Sequence, residues 1–203
     1  VITPAGTASY PYLTRPDTKF DPDGEYRLGL IMPASEAQEL ISTIDEAIVA
    51  SLDKAKQENP KKAKKIKQAN PPYSEVTDDE GNETGEVQFN FKMKAKITPR
   101  DGGEPFEKRP ALFDAKGTPL PKTINIGGGS TVKVCADLIP YFTDLVGAGI
   151  SLRLKAVQVL ELVEYNGQSA DSYGFDKEDG FEVKSAEADD DALADEFDDE
   201  ADF

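Results

Sequence analysis

The sequence predicts a mainly β domain, a small antiparallel barrel of about five strands with one helix inserted early, followed by an acidic tail. Three observations lead to this prediction. Residues 87–97 alternate between apolar and polar side chains, which is the period of a strand. Residues 35–58 instead carry apolar side chains at helical spacing. Residues 164–203 hold 16 acidic and 2 basic residues, whereas residues 1–163 hold 23 acidic and 21 basic, so nearly all the excess charge lies in the tail.

The first part of the chain changes from an extended to a helical pattern. Residues 1–24 are rich in Pro, Gly, Thr and Tyr and predict an extended lead-in. Residues 26–32 alternate with a period of two and predict the first strand. The helix follows at 35–58, where Ser35 and Gln38 fit a capping box in which each side chain satisfies a backbone amide left free by the helix.

Residues 87–97 form the clearest strand. Successive side chains of a strand point to opposite faces, so this segment builds one apolar face and one cationic face. The apolar face comprises Val87, Phe89, Phe91, Met93, Ala95 and Ile97. The opposite face comprises Gln88, Asn90, Lys92, Lys94 and Lys96.

The second half of the domain is predicted to be all β. A short strand is expected at 111–114 and longer ones at 132–139 and 150–164, with Pro140 ending the former. The run Gly127-Gly128-Gly129-Ser130 lacks the GxxxxGK[ST] pattern of a phosphate loop. It therefore predicts a tight turn between strands.

Composition argues against several functional classes. The chain has no histidine, so the commonest general base and neutral metal ligand are missing. The paired carboxylates lie in the tail or in loops, and we expect no enzymatic activity, no metal site and no cofactor. Cys135 is the single cysteine, which fits a reducing cytoplasm. No apolar run reaches the roughly 18 residues of a membrane span, so we expect no membrane partner.

Two groups of cations are candidate nucleic-acid contacts. The first is the lysine face of residues 87–97. Cations on other predicted strands would widen this face, namely Arg27, Lys133, Arg153 and Lys155. The second is the basic segment, residues 61–67; seven lysines lie between Lys54 and Lys67 against one acid. Either group is also compatible with an ordinary solvated surface. The alternative is that they neutralise phosphates, with an affinity that falls as salt rises.

Several aromatic residues lie beside prolines or at strand ends and are candidates for base stacking, which tolerates any base. They are Tyr10, Tyr12, Tyr73, Tyr141 and Phe142. Phe89 and Phe91 share the apolar face of their strand and are expected in the core.

The tail, residues 166–203, is expected to be disordered because dense like charges resist compaction and few apolar groups are present. A solubility tail would explain the acids but not the embedded Phe197 or the final Asp202-Phe203. An aromatic ring that also carries an α-carboxylate is a good short recognition element for a basic pocket. We therefore expect Phe197, Asp202 and Phe203 to contact other proteins.

Several short motifs occur in an order that resembles the single-stranded DNA-binding proteins of T7-like phages. They are Ala5-Gly6-Thr7-Ala8, Tyr10-Pro11-Tyr12, Arg15-Pro16-Asp17, Phe89-Asn90-Phe91-Lys92, Ile126-Gly127-Gly128-Gly129-Ser130, Leu138-Ile139-Pro140-Tyr141, Val146-Gly147-Ala148 and the acidic tail ending in Asp202-Phe203. The resemblance spans nearly the whole chain.

The resemblance implies an OB-fold domain at 1–165 that coats single-stranded DNA during phage replication, recombination and repair. It also implies a dimer, a tail that covers the DNA groove and docks on the polymerase and helicase–primase, and a location in the cytoplasm of the infected bacterial host. The basic strand position falls on Lys92, the strand-end aromatic on Tyr141 and the terminal aromatic on Phe203. The sequence departs from the family pattern where no Trp follows Tyr141.

Two hypotheses from different classes follow from these patterns. In the first, the protein binds single-stranded DNA. The expected contacts are Arg27, Lys61, Lys62, Lys64, Lys65, Lys92, Lys94, Lys96, Tyr141, Arg153 and Lys155. In the second, it is an acidic, chaperone-like protein that binds basic partners through its tail.

Overall fold

The structure, a computed structural model, describes residues 1–19, 21–99 and 102–165. The predicted tail at 166–203 lies outside the described residues. The described parts are mainly β, with one α-helix. In chain order the elements are β1 (Gly6–Asp17), β2 (Glu25–Pro33), α1 (Ala34–Glu58), a 3₁₀ turn (Ala63–Lys65), β3 (Tyr73–Thr77), β4 (Glu83–Lys94), β5 (Lys96–Ile97), β6 (Phe106–Glu107), β7 (Ala111–Phe113), β8 (Thr131–Thr143) and β9 (Gly147–Glu161).

The larger sheet has the strand order β3-β4-β2-β1-β8-β9-β7. A further parallel pairing joins β4 to β9, with Phe91 opposite Leu152 and Lys92 opposite Arg153. The pairings β1–β2, β2–β4, β4–β9, β9–β8 and β8–β1 therefore form a closed cycle of five strands. The small β5–β6 ladder lies outside this cycle.

The core lies on the inner face of the cycle. The apolar side chains that alternate along β4 are buried, as the sequence pattern predicts, and Phe89 and Phe91 are among the largest fully buried residues. The two strands paired with β4 contribute Leu28 of β2 and Leu152 of β9 to the same core. Burial of alternate residues leaves the other half of each strand for the outer face.

Helix α1 packs against β8 and β9 with one apolar stripe. Ile44 and Ile48 of this stripe are fully buried, and the hydroxyl of Ser51 donates a hydrogen bond to the carbonyl of Gly149 at 3.0 Å. The predicted capping box is wrong. The N-cap is Pro33, no side chain caps the N-terminus of the helix, and Gln38 instead donates to the carbonyl of Ala34.

Several strand boundaries differ from the sequence prediction. The last strand covers Gly147–Glu161 rather than 150–164, and the strand predicted at 87–97 is divided into β4 and β5. The extended lead-in is in fact strand β1, whose alternation is interrupted by register shifts between Ser9 and Tyr12 and between Tyr12 and Asp17. Such shifts admit prolines into a strand and obscure the period of two. Pro140 does not end β8, which runs to Thr143 because the pairing with β9 continues on both sides of the proline.

The glycine-rich run is a turn, as predicted. Gly129 has φ +88°, a left-handed backbone that glycine adopts without steric cost. Buried Ser130 closes the turn by donating to the carbonyl of Gly127 at 2.8 Å and accepting from the amide of Val163 at 3.0 Å. In the described part of the chain, no helix has the length and apolar character needed to cross a membrane.

Candidate nucleic-acid interface

One row of side chains crosses the outer face of the strand cycle. Tyr12 of β1 lies opposite Arg27 of β2, Arg27 opposite Lys92 of β4, Lys92 opposite Arg153 of β9, and Arg153 opposite Asp137 of β8. Directly opposed residues share a face of the sheet, so these five side chains form the outer row. The sequence predicted its three cations, but only the register places them side by side.

Arg27 is the most constrained cation of the outer row. Its Nη2 lies 2.7 Å from Oδ2 of Asp17, a carboxylate whose side chain is only 10% exposed. Its guanidinium carbon lies 4.6 Å from the centroid of the Tyr12 ring, within the range of a cation–π contact. Arg27 is thus held by a carboxylate and an aromatic ring of the same strand, β1.

Lys92 is exposed and has no carboxylate within ion-pair distance among the described residues. The other two lysines of that face are paired: Nζ of Lys94 lies 3.5 Å from Asp21, and Nζ of Lys96 lies 3.8 Å from Asp23. The lysine face of β4 and β5 therefore holds one unpaired cation in its centre.

Asp137 ends the outer row and binds both cations of β9. One carboxylate oxygen lies 3.1 Å from Nη2 of Arg153 and the other 3.2 Å from Nζ of Lys155. Hydrogen bonds from Arg153 and then Lys155 hold the pKa of Asp137 below its ordinary value. A phosphate that approaches either cation therefore competes with the carboxylate of Asp137.

The basic segment lies at a different place, beside the β8–β9 turn. Nζ of Lys62 lies 2.9 Å from Asp144 of that turn. The amide of Ala148 donates to the carbonyl of Lys67, so the end of the segment runs along the start of β9. Arg153 lies six positions after Gly147 in β9, or roughly 20 Å along the strand. Lys61, Lys62, Lys64 and Lys65 therefore form a second cationic surface apart from the outer row.

Tyr141 belongs to the end of β8 near the basic segment. It is opposite Gly149, and a Cβ added to that glycine would lie 2.9 Å from the Tyr141 hydroxyl, so the ring covers the glycine. Tyr141 lies four residues beyond Asp137 on β8, toward the basic segment. Lys133 lies four residues away in the other direction, opposite Gln158, and does not extend the outer row.

The aromatic candidates divide into exposed and packed rings. Tyr10 is 85% exposed and Tyr12 is 39% exposed. Tyr10 also has φ +44°, the left-handed region that non-glycine residues rarely occupy. Tyr73 instead packs at 5.6 Å from Phe89 and donates its hydroxyl to Asp45. Phe197, Asp202 and Phe203, the expected protein contacts of the tail, lie outside the described residues.

Tyr12 lies in the outer row but was not among the DNA contacts predicted from the sequence. Its neighbouring proline marked it as a stacking candidate, but its place beside Arg27 depends on the bulge in β1. A bulge re-aims one side chain relative to a regular strand, and the sequence alone does not say where it falls.

Comparison with known proteins gives a consistent result. A family defined as the single-stranded DNA-binding protein of bacteriophage T7 matches residues 5–162. The single-stranded DNA-binding protein of Enterobacteria phage T3 is 30% identical, covering 86% of this chain and 81% of the relative. That of Escherichia phage T7 is 28% identical, covering 98% of this chain and 96% of the relative.

Solved structures agree with the sequence matches. The crystal structure of the T7 single-stranded DNA-binding protein superposes with a TM-score of 0.70 at 26% identity, covering 91% of this chain and 98% of that one. The single-stranded DNA-binding protein of bacteriophage Enc34, solved in complex with single-stranded DNA, gives a TM-score of 0.56 at 17% identity, covering 82% and 88%. The second likeness supports the fold alone. This chain therefore belongs to the family of the bacteriophage T7 single-stranded DNA-binding protein.

Proposed function

We propose that this protein binds single-stranded DNA and coats it during phage replication, recombination and repair. The observation that carries the proposal is the outer row, in which Lys92, unpaired among the described residues, lies between Arg27 and Arg153 on adjacent strands. Membership of a single-stranded DNA-binding family favours this function over the chaperone-like alternative. Members of such a family act by binding rather than by catalysis.

The proposed architecture is an OB-fold barrel formed by β1, β2, β4, β9 and β8. The closed cycle of pairings, with its one parallel contact between β4 and β9, supports it. In OB-folds, the face of the central strands and the flanking loops hold oligonucleotides. The outer row lies on such a face.

In the proposed binding mode, phosphates neutralise the cations while bases stack on exposed rings. Lys92 offers its ammonium directly. Arg153 and Lys155 exchange the carboxylate of Asp137 for phosphate. The basic segment and Tyr141 provide a second contact surface for the same DNA strand.

The acidic tail has a proposed regulatory role. Residues 164–203 carry a net charge of -14 and would compete with DNA for the cations of residues 1–165. Phe197, Asp202 and Phe203 would contact replication proteins such as the polymerase and helicase–primase. We further propose that the protein is a homodimer in the cytoplasm of the infected bacterial host.

The proposal is tested by fluorescence anisotropy of a labelled single-stranded oligonucleotide over a range of salt concentrations. The full chain should bind, and log affinity should fall linearly with log salt. Lys92→Gln should weaken binding and reduce the slope by about 0.7, the value for one phosphate contact on a single strand. Lys122→Gln, at an exposed lysine in a turn outside the row, is the matched control and should leave the slope unchanged. The proposed function would be refuted if neither the full chain nor a chain ending at Asp176 bound the oligonucleotide in a salt-sensitive way.

A further inference from the structure

Arg27 differs from the other cations of the outer row in how firmly it is held. Its ion pair with Asp17 is the shortest in the described part of the chain, at 2.7 Å, and that carboxylate is nearly buried. Its Nε is also buried and has no hydrogen-bond partner among the described residues. Moving the guanidinium out to a phosphate would leave Asp17 as a nearly buried charge that keeps the hydrogen bond from the Lys19 amide but loses its cationic partner, which is unfavourable.

The same guanidinium covers one face of the Tyr12 ring, at 4.6 Å from its centroid. An exposed tyrosine otherwise samples several rotamers, and fixing it on DNA binding would lose side-chain entropy. Arg27 removes much of that loss in advance, because the planar guanidinium stacks on the ring while Asp17 fixes the guanidinium. The opposite face of the ring is then the one available for stacking.

The position of Tyr12 in the fold supports a ligand contact. The bulge before it places an extra residue in β1, and Tyr10 in that bulge adopts φ +44° with its side chain 85% exposed. Strained backbone that holds exposed side chains is common at ligand sites. Tyr12 is also only two strands from Lys92, a cation without an ion pair among the described residues.

We propose that Tyr12 is a base-stacking residue and that Arg27 is the residue that positions its ring, rather than a phosphate contact. The inference rests on the proposed DNA-binding function and assigns separate tasks along the outer row. Lys92 binds the phosphate backbone of the DNA, Tyr12 stacks on a base, and Arg27, held by Asp17, keeps the Tyr12 ring in place.

The test compares two labelled ligands of equal length, oligo-dT and an abasic oligonucleotide with the same phosphates and no bases. Tyr12→Ala should weaken oligo-dT binding by about 5- to 150-fold, the range for loss of one stacking aromatic, and leave abasic binding unchanged. Tyr12→Phe keeps the ring and should bind both ligands like wild type. Lys92→Gln should weaken both ligands to the same extent.

The double substitution Arg27→Gln with Asp17→Asn distinguishes the positioning of the Tyr12 ring by Arg27 from an effect of its positive charge on phosphate binding. This pair removes one cation and one anion, so the net charge stays the same. We expect it to weaken oligo-dT binding several-fold, with abasic binding and the salt slope unchanged. Arg27→Lys, which keeps the ion pair but loses the planar stack, should give a smaller, base-dependent loss and keeps the test available if the double variant fails to fold.

The outcomes are distinct. If wild type binds neither ligand, the proposed function fails. If wild type binds but Tyr12→Ala affects both ligands equally or neither, stacking by Tyr12 is refuted. If the double variant weakens both ligands and reduces the salt slope by about 0.7, Arg27 is a phosphate contact and its positioning role is refuted. Circular dichroism melting of each variant verifies that it is folded.

Discussion

Replacing Ser130 by alanine should destabilise the protein through the loss of two specific hydrogen bonds. The Ser130 hydroxyl is 0% exposed, donates to the carbonyl of Gly127 at 2.8 Å and accepts from the amide of Val163 at 3.0 Å. The Gly127 carbonyl retains a weak contact from the Ser130 amide at 3.4 Å, whereas the Val163 amide has no other acceptor within the described part of the chain. The main expected loss is therefore one unsatisfied, partly buried donor together with the bond to Gly127.

The magnitude follows from these contacts. The lost bond to the Gly127 carbonyl contributes about 1 kcal/mol, and the Val163 amide, on a residue that is 48% exposed, contributes less than the roughly 1–3 kcal/mol of a fully buried unsatisfied donor. The free energy of unfolding should therefore fall by about 1–3 kcal/mol in all. In a domain of this size, that corresponds to a melting temperature lowered by roughly 2–12 °C. Urea denaturation measures the free energy, and hydrogen exchange of the Val163 amide measures the local effect. That amide should exchange faster in the variant even where global unfolding is rare.

Ser74→Ala is the matched control for Ser130→Ala, since Ser74 is exposed on β3. Exposed substitutions of this kind change stability by less than about 0.5 kcal/mol. Equal stabilities for the two variants, or an unchanged exchange rate at Val163, would refute the argument. The result bears on how the chain is held just after β9, where the Val163 amide donates to the Ser130 hydroxyl.

Three further predictions follow from the contacts. Asp137→Asn should tighten oligonucleotide binding at low salt in an anisotropy titration, because Arg153 and Lys155 would no longer be bound to a carboxylate. The control Asp53→Asn on α1 should leave the affinity unchanged. Equal affinities for the two variants would contradict this prediction. Gly147→Ala should lower the urea midpoint of unfolding, because φ of Gly147 is +104° and the new Cβ would clash with the backbone carbonyl of Lys67. A midpoint equal to that of wild type would contradict this prediction. Burial first, and then the hydrogen bond to Asp45, raise the pKa of Tyr73 to about 12, above its ordinary value of 10.0. The stability it contributes is therefore complete below pH 10 and is lost as pH rises toward 12, so the stability difference between wild type and Tyr73→Phe should shrink over that range in urea titrations.

The regular elements could be predicted from the sequence because their side-chain periods are strong. Strand β4 and helix α1 each carry an apolar face whose residues are buried as the pattern requires. Strand β1 could not be predicted, because its bulge and its prolines break the period of two. Pro140 was also misleading, since pairing with β9 keeps β8 extended through the proline.

The candidate site was predictable in its residue types but not in its arrangement. Alternation placed Lys92, Lys94 and Lys96 on one outer face, and the structure agrees. Some of the carboxylates that bind these cations come from distant parts of the chain, as Asp21 does for Lys94. Pairings of this kind depend on strand register across the closed cycle, for which a single sequence has no local signal. The distinction between Lys92 and Arg27 therefore appears only in three dimensions.

In the proposed binding mode, single-stranded DNA lies across the outer row of β1, β2, β4, β9 and β8. Photo-crosslinking of the full chain to an oligonucleotide that contains 5-iododeoxyuridine, followed by mass spectrometry of the peptides, locates the bound bases. We expect base adducts on the peptide that holds Tyr10 and Tyr12, with fewer adducts in the variant Tyr12→Ala. Adducts confined to the peptide that holds Tyr73, or adducts unaffected by Tyr12→Ala, would contradict it.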